Sequence, residues 1–160
     1  MIDSLLVVLT FLSALGSGLM AGVFFAFSTF VMKALSRLPA SEGIAAMQSI
    51  NVVAVLSSGF MIAFFGTAAA CAVLAIASFF SWDEASVIYL FAGSLLYLIG
   101  VFMVTIAFNV PLNKALKAAE PNSGKGTRVW THYMISWTHW NHVRTVAALA
   151  ALALFIIALR

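Results

Sequence analysis

The sequence predicts an all-α integral membrane protein, built as a four-helix bundle in a single domain that covers residues 1–160. Hydrophobic residues make up 64% of the chain and charged residues only 8%, whereas a soluble domain carries roughly 25% charged residues. The apolar residues also form four long runs that are continuous and not alternating, which favours helices over strands. A bilayer is the solvent that accepts such an exterior.

The four runs cover about residues 4–32, 52–80, 87–110 and 140–159. Each provides the roughly 20 residues that a helix needs to cross about 30 Å of hydrocarbon. The first run follows a segment without Lys or Arg and is longer than the apolar part of a signal peptide. We therefore predict a retained transmembrane helix there.

Charge in the connections predicts the orientation of the bundle. The basic residues concentrate in two connections, with Lys33 and Arg37 in loop one and Lys114, Lys117, Lys125 and Arg128 in loop three. Loop two, residues 81–86, carries only acids, and Trp82 in it is predicted to anchor at the interface. Because Lys and Arg stay in the cytoplasm, loops one and three are predicted to be cytoplasmic and both termini outside. The expected location is the cell (inner) membrane of a bacterium.

Turn residues predict where the helices begin. Ser41 after Pro39 is predicted as an N-cap, so that the second helix starts in the cytoplasm. Pro111 predicts a kink or a new helix, followed by a short amphipathic helix over Leu112 to Glu120. The fourth helix is predicted to start near Thr127. The second and fourth helices would both extend beyond the bilayer.

Polar side chains gather at the cytoplasmic third of this bundle, and the remaining two-thirds is almost purely apolar. They are Ser28, Thr29, Gln48, Asn51, Thr105, Asn109, Asn113, Trp137, Trp140, Asn141 and Arg144. Such groups are costly in hydrocarbon and should face each other or a water-filled cavity. Two interpretations follow: a network that caps the helix ends, or a ligand pocket.

The fourth helix divides into two faces. At 100° per residue, one face about 100° wide holds Trp130, Tyr133, Trp137, Trp140, Asn141 and Arg144. His132 and His139 lie on nearly the opposite face, with His142 about 60° from His139. The aromatic face is either functional or a set of interfacial anchors.

Arg144 is predicted to lie inside the membrane boundary. The apolar run after it, residues 145–159, has a length of only about 22 Å. Its side chain would either extend to the headgroups or bind an anionic or enolate-like oxygen, or else fix the amides of Asn109 and Asn113.

No metal site is predicted, and no nucleic-acid groove. The spans contain no carboxylate, which excludes a Glu-x-x-His di-iron site. An all-histidine copper, zinc or haem site stays open as an alternative, as does a proton-relay or general-base role for His142. The lone Cys71 is interpreted as a small buried hydrophobe.

Three motifs resemble those of a small integral membrane family that includes the anthrone oxygenases. They are Ala46-Met-Gln-Ser-Ile-Asn51, Asn109-Val-Pro-Leu-Asn113 and Trp137-Thr-x-Trp-Asn-x-Val-Arg-Thr145. The resemblance covers nearly the whole chain, although Met32 stands where many relatives have a proline. It implies oxidation of an anthrone methylene to an anthraquinone carbonyl with molecular oxygen as co-substrate and no classical cofactor. It carries over the positions Gln48, Asn51, Asn109, Asn113, Trp137, Trp140, Asn141 and Arg144.

Together the residues and the resemblance predict a protein that oxidises or binds a flat phenolic or quinone-like lipophile. The predicted catalytic residues are Arg144, Asn141 and His142. The predicted substrate-binding residues are Trp137, Trp140, Tyr133, Asn109, Asn113, Gln48 and Asn51. The alternative is a non-catalytic accessory or lipid- or quinone-binding subunit of a larger complex. Expected partners are membrane lipid, the lipophile, and a second copy or another membrane protein.

Overall fold

The computed structural model describes residues 2–80 and 86–160, which form five helices and no strand. The all-α fold class is therefore confirmed over these residues. Residues 81–85 are outside them, so the acids of loop two and the predicted anchor Trp82 lie outside the described residues.

The five helices run as follows. Helix α1 consists of α-helical Ile2–Ala26, π-helical Phe27–Val31 and a last α-turn, Met32–Leu35. Helix α2 is Ala40–Leu56 and helix α3 is Ser58–Ser78. Helix α4 begins as Val87–Leu95, continues through the π-helical segments Leu96–Met103 and Thr105–Asn109, and ends as Val110–Lys117. Helix α5 is Gly124–Ala158.

Four of these helices, α1, α3, α4 and α5, are long and apolar enough to cross a membrane. The prediction of several helices that could cross a membrane is therefore confirmed. Helix α5 has 35 residues, and at 1.5 Å per residue it is about 52 Å long, well beyond the thickness of the hydrocarbon core. The last helix thus includes residues well before residue 140. Its start is Gly124, capped by Ser123 Oγ, which accepts the N–H of Gly126 at 2.9 Å.

The predicted second helix is wrong in one respect, because it is two helices and not one. Ser57 has an extended backbone, with φ −75° and ψ 104°, and this ends α2. The Ser57 hydroxyl then accepts the N–H of Phe60 at 3.3 Å and caps α3, as serine commonly does. The spanning part is Ser58–Ser78 and not 52–80. Helix α2 also begins at Ala40 without a side-chain cap, so the N-cap prediction for Ser41 is wrong.

Pro111 does not end the third span. It lies at the start of the α-helical segment Val110–Lys117, directly after the π-helical segment Thr105–Asn109, and a local π-type adjustment of the backbone is one way in which a membrane helix tolerates proline. The predicted separate helix over Leu112 to Glu120 is instead the end of α4, which runs unbroken from Val87 to Lys117.

The long helices pack in a ring: α1 contacts α3 and α5, and α4 contacts the same two helices. Their shared core includes Phe24, Phe64, Tyr97 and Phe155. Helix α2 packs across one end of this ring, against the end of α4 and the first half of α5, where a second apolar cluster forms. We call this end, made by residues 24–35, 40–56, 105–117 and 124–145, the polar end.

The opposite part of the bundle is less apolar than predicted. It buries hydroxyl side chains on α1, α3 and α4, namely Thr10, Ser13, Ser17, Thr67, Ser78 and Ser94. Two of these, Ser17 and Ser94, make no hydrogen bond to any described residue, and Ser13 lies beside the Cys71 thiol. Hydroxyls on small side chains do not lower the hydropathy of a run enough to be noticed, which is why the sequence pattern did not reveal them. Cys71 is buried among them, as predicted.

Candidate functional site: a buried arginine beside an apolar cleft

Arg144 is held inside the polar end with only 5% of its surface exposed. Its Nη2 donates to Asn141 Oδ1 at 2.7 Å, one turn earlier on α5. Its Nη1 donates to Thr105 Oγ1 on α4 at 3.1 Å. The guanidinium carbon also lies 4.2 Å from the ring centroid of Phe24 on α1, within the range of a cation–π contact. The side chain is thus fixed by three helices inside the bundle and does not point to its outer surface.

Asn141 connects this arginine to α1. Its Nδ2 donates to the carbonyl of Phe24 at 2.7 Å and to Ser28 Oγ at 2.8 Å. Since its Oδ1 accepts from Arg144, the amide uses both ends. Thr145 Oγ1 lies 3.2 Å from the same Ser28 hydroxyl and completes the cluster.

The partners on the other helices lie in unusual backbone. Ser28 is in the π-helical segment Phe27–Val31, and Thr105 and Asn109 are in the π-helical segment Thr105–Asn109. Short π-helical segments often occur at functional sites. Ser28 and Thr105 were predicted to be among the converging polar residues, but neither was predicted to be a catalytic or binding residue. The Phe24 carbonyl, as a backbone group, offers no sequence signal at all.

No carboxylate within the described residues pairs with the Arg144 charge. The chain has five acids, and the two whose side chains are described, Glu42 and Glu120, are exposed. The two hydrogen bonds of Arg144 go to neutral oxygens, and its buried Nε has no partner among the described groups. A buried charge without a counter-charge is costly. The site is therefore electrostatically suited to an anionic group.

The predicted aromatic face of α5 is buried. Trp130 and Tyr133 stack with centroids 5.8 Å apart, and Tyr133 and Trp137 do the same at 5.8 Å. Trp137 also lies 5.6 Å from Phe27 on α1 and 5.2 Å from the Arg144 guanidinium carbon. These side chains are part of the core and not a surface belt.

Trp140 departs from this column. It is partly exposed and stacks on Phe108 of α4 at 3.6 Å with an interplanar angle of 7°. It therefore binds α5 to α4 on the outer surface of the bundle.

The four predicted amides on α2 and α4 lie in three separate places. Asn51 and Asn113 lie together near the Tyr133 hydroxyl, which donates to Asn113 Oδ1 at 2.8 Å. Asn109 is buried elsewhere and donates to the Trp137 carbonyl at 3.3 Å. Gln48 donates to the carbonyls at the end of α4, those of Leu116 and Ala119, at 2.9 and 3.0 Å.

A cleft of about 710 Å³ lies between α1, α2, α3 and α4 and reaches Arg144. Its wall is mostly apolar, with a few polar groups at defined places, which is typical of small-molecule sites. Of the predicted site residues it brings together Asn51, Asn113, Trp137 and Arg144. Its other lining side chains include Phe24, Phe27, Met47, Phe60, Phe64, Phe65 and Thr105.

The histidines lie away from this cleft. His132, His139 and His142 are all exposed and do not line it. Within residues 2–80 and 86–160, no three His, Cys, Asp or Glu side chains gather as a metal-binding group. Of the three predicted catalytic residues, His142 therefore lies outside the cleft. Arg144 lines the cleft, and Asn141 positions Arg144.

Comparison with known protein families identifies the family of this chain. Residues 60–154 match the model of the family described as anthrone oxygenase. No curated protein and no solved structure matches the chain. The matched residues cover most of α3, all of α4 and most of α5, with Thr105, Trp137, Asn141 and Arg144, and they make up more than half of the sequence. The chain therefore belongs to the anthrone oxygenase family.

Proposed function

We propose that this member of the anthrone oxygenase family is a membrane oxygenase that converts an anthrone-like lipophile to the corresponding anthraquinone in the cleft beside Arg144. The observation that carries the proposal is the buried guanidinium. It lines an apolar cleft, has no carboxylate partner among the described residues, and lies against two aromatic rings. A flat aromatic ligand with a developing negative charge on one oxygen complements such a site.

The chemistry suits this arrangement. An anthrone methylene is acidic because its carbanion is conjugated with the ring carbonyl, so loss of the proton gives an enolate. Arg144 would donate hydrogen bonds to the enolate oxygen, and such donors are worth most in a site that excludes water. Asn141 and Thr105 would act as positioning residues, since each holds one nitrogen of the guanidinium.

The overall reaction converts the CH₂ group and one O₂ into a C=O group and one water. Dioxygen adds to the enolate carbon, and the resulting peroxide takes up a proton. The hydroperoxide then loses water as its O–O bond breaks and the remaining C–H proton leaves, so that one oxygen atom stays in the carbonyl. Dioxygen is the oxidant of the methylene carbon. No His, Asp, Glu, Cys or Lys is among the described residues that line the cleft, so we assign removal of the first proton to water at its mouth.

The decisive experiment measures anthraquinone formation by purified protein in nanodiscs supplied with anthrone and oxygen. Arg144→Gln should lower kcat by about 100-fold, the usual cost of removing one charge-stabilising donor. Arg128→Gln is the matched control, because Arg128 is exposed on the same helix. Oxygen uptake should equal anthraquinone production. Wild-type protein that forms no product above the buffer rate would contradict the proposal, and so would a folded Arg144→Gln variant with full activity.

His142→Ala tests whether a histidine, and not water, accepts the first proton. If water accepts the proton, this variant should keep wild-type turnover across the pH range near neutrality. A large loss of activity would instead support the general-base role predicted from the sequence.

A non-catalytic binding subunit is the second candidate. The observation that favours it is the same lack of an acid–base side chain in the cleft lining described here. Such a protein would bind anthrone and anthraquinone with similar affinity and turn over neither. Measurement of ligand affinity beside the turnover assay separates the two functions.

We further propose the predicted orientation, with the polar end in the cytoplasm of a bacterial cell. The basic residues of both connections at this end support it, because Lys and Arg favour the cytoplasmic side. The Arg37→Cys variant should resist a membrane-impermeant maleimide in whole cells, and the Arg160→Cys variant should react. The reverse pattern would invert the topology.

A further inference from the structure

A second, outer groove of about 830 Å³ lies between α2 and the end of α4. Its apolar wall comes from the exposed valines and leucine near the end of α2, of which Leu56 is 77% exposed. Its other wall carries two cations, Lys114 and Lys117. The two lysines are three residues apart on one helix and so point to the same side of α4.

This groove adjoins the cleft that reaches Arg144. The two cavities share residues of α2 and α4, which are Ser49, Asn51, Val53, Val55, Val110 and Asn113. A path along the two adjoining cavities would therefore run from the two exposed lysines, past two amides, to the buried guanidinium.

The junction of the two cavities offers hydrogen-bond donors. Asn113 accepts from the Tyr133 hydroxyl through Oδ1, and its Nδ2 donates to no other described residue. Asn51, which lies across the path on α2, also lines both cavities. Cations at the mouth and amide donors behind them match a ligand whose polar substituents are acceptors or anions.

We propose that the groove is the entrance to the cleft and that it selects flat aromatic substrates carrying a carboxylate or comparable acidic group, which Lys114 and Lys117 bind. The inference rests on the proposed function, since it names the substrate class for that cleft. It assigns the lysines to specificity and not to the oxidation itself, because they lie at the mouth while Arg144 lies at the inner end.

The test is a binding experiment that needs no turnover. Anthraquinone-2-carboxylate and neutral anthraquinone are titrated into the protein in phosphatidylcholine nanodiscs, and quenching of tryptophan fluorescence gives each Kd. The double variant Lys114→Gln/Lys117→Gln should weaken carboxylate binding by about five-fold, as expected for two solvent-exposed ion pairs, and leave neutral binding unchanged. High salt should reduce the preference of the wild type in the same way.

Two controls define the site. Lys125→Gln removes an exposed lysine that does not line the groove and should leave both affinities unchanged. Lys114→Arg/Lys117→Arg keeps the charges and should restore the carboxylate preference.

Equal weakening of both ligands would overturn the proposal, because it would mean a general loss of shape. Unchanged carboxylate binding in the double variant would also overturn it. If that variant in addition loses co-purified phosphatidylglycerol, the lysines bind lipid headgroups and not the substrate. If the protein binds the carboxylate more tightly than neutral anthraquinone but forms no anthraquinone from anthrone, only the proposed oxygenase function is contradicted. A protein with turnover but no preference would reject the entrance alone.

Discussion

Replacing Asn141 with leucine tests whether the three-helix junction stabilises the polar end. The side chain is fully buried, and leucine has a similar size and no polar atom. The change removes two hydrogen bonds to α1, those to the Phe24 carbonyl and the Ser28 hydroxyl. It also leaves Arg144 Nη2 without its acceptor.

The expected loss can be estimated from these three contacts. Hydrogen bonds between helices in membrane proteins average about 0.6 kcal/mol each, and one to a charged group is worth about 1.5–3 kcal/mol. The free energy of unfolding should therefore fall by about 3–4 kcal/mol. For a chain of this size that corresponds to a Tm lower by about 10 °C.

The assay is thermal unfolding of purified protein in one detergent, followed by intrinsic tryptophan fluorescence. His142→Leu is the matched control, since it introduces the same residue at the next position, which is exposed, and should change stability by no more than about 0.5 kcal/mol. If Asn141→Leu shifts the Tm no more than this control does, the junction does not hold α5 to α1 and the reasoning is refuted.

Two further predictions concern close packing and helix capping. Gly100→Ala should destabilise the protein by about 1–3 kcal/mol, because the added Cβ would lie 2.5 Å from the Cβ of Ala147. Gly22→Ala should instead stabilise it by about 0.5–1 kcal/mol, since nothing lies within 4 Å of the added Cβ. Two Tm shifts of the same sign would contradict this prediction. Gln48→Leu should lower the free energy of unfolding by about 1–2 kcal/mol, because it loses its hydrogen bonds to the carbonyls of Leu116 and Ala119; a raised KM for anthrone at unchanged Tm would instead mean that Gln48, which also lines the outer groove, acts on the substrate.

Much of the fold could be predicted from hydropathy, because the length of an apolar run directly sets whether a helix can cross a bilayer. The break at Ser57 could not, since Ser57-Ser58-Gly59 interrupts the hydrophobicity of its run very little. The π-helical segments were also beyond prediction. Hydropathy and run length do not distinguish them from the α-helical parts of the same runs.

The candidate site was partly predicted, and the reason lies in the geometry of one helix. A fixed rotation of 100° per residue was enough to place Trp130, Tyr133, Trp137, Asn141 and Arg144 on the buried face, and they are buried. The same argument put Trp140 on that face, yet it stacks on Phe108 near the surface. Helical angle gives direction only, and the position of the neighbouring helix decides what lies there.

By itself the sequence determined that this chain needs a membrane-like environment, that it is helical, and that Arg144 lies among aromatic and amide side chains. These properties follow from composition and from periodicity within single helices. Only the tertiary structure decided that Arg144 bonds to Asn141 and Thr105 and not to Asn109 or Asn113. Contacts between helices depend on their relative depth and rotation, which packing determines. The same packing places the guanidinium beside an apolar cleft, with no carboxylate partner among the described residues. That arrangement is why the motif around Arg144 is a candidate site.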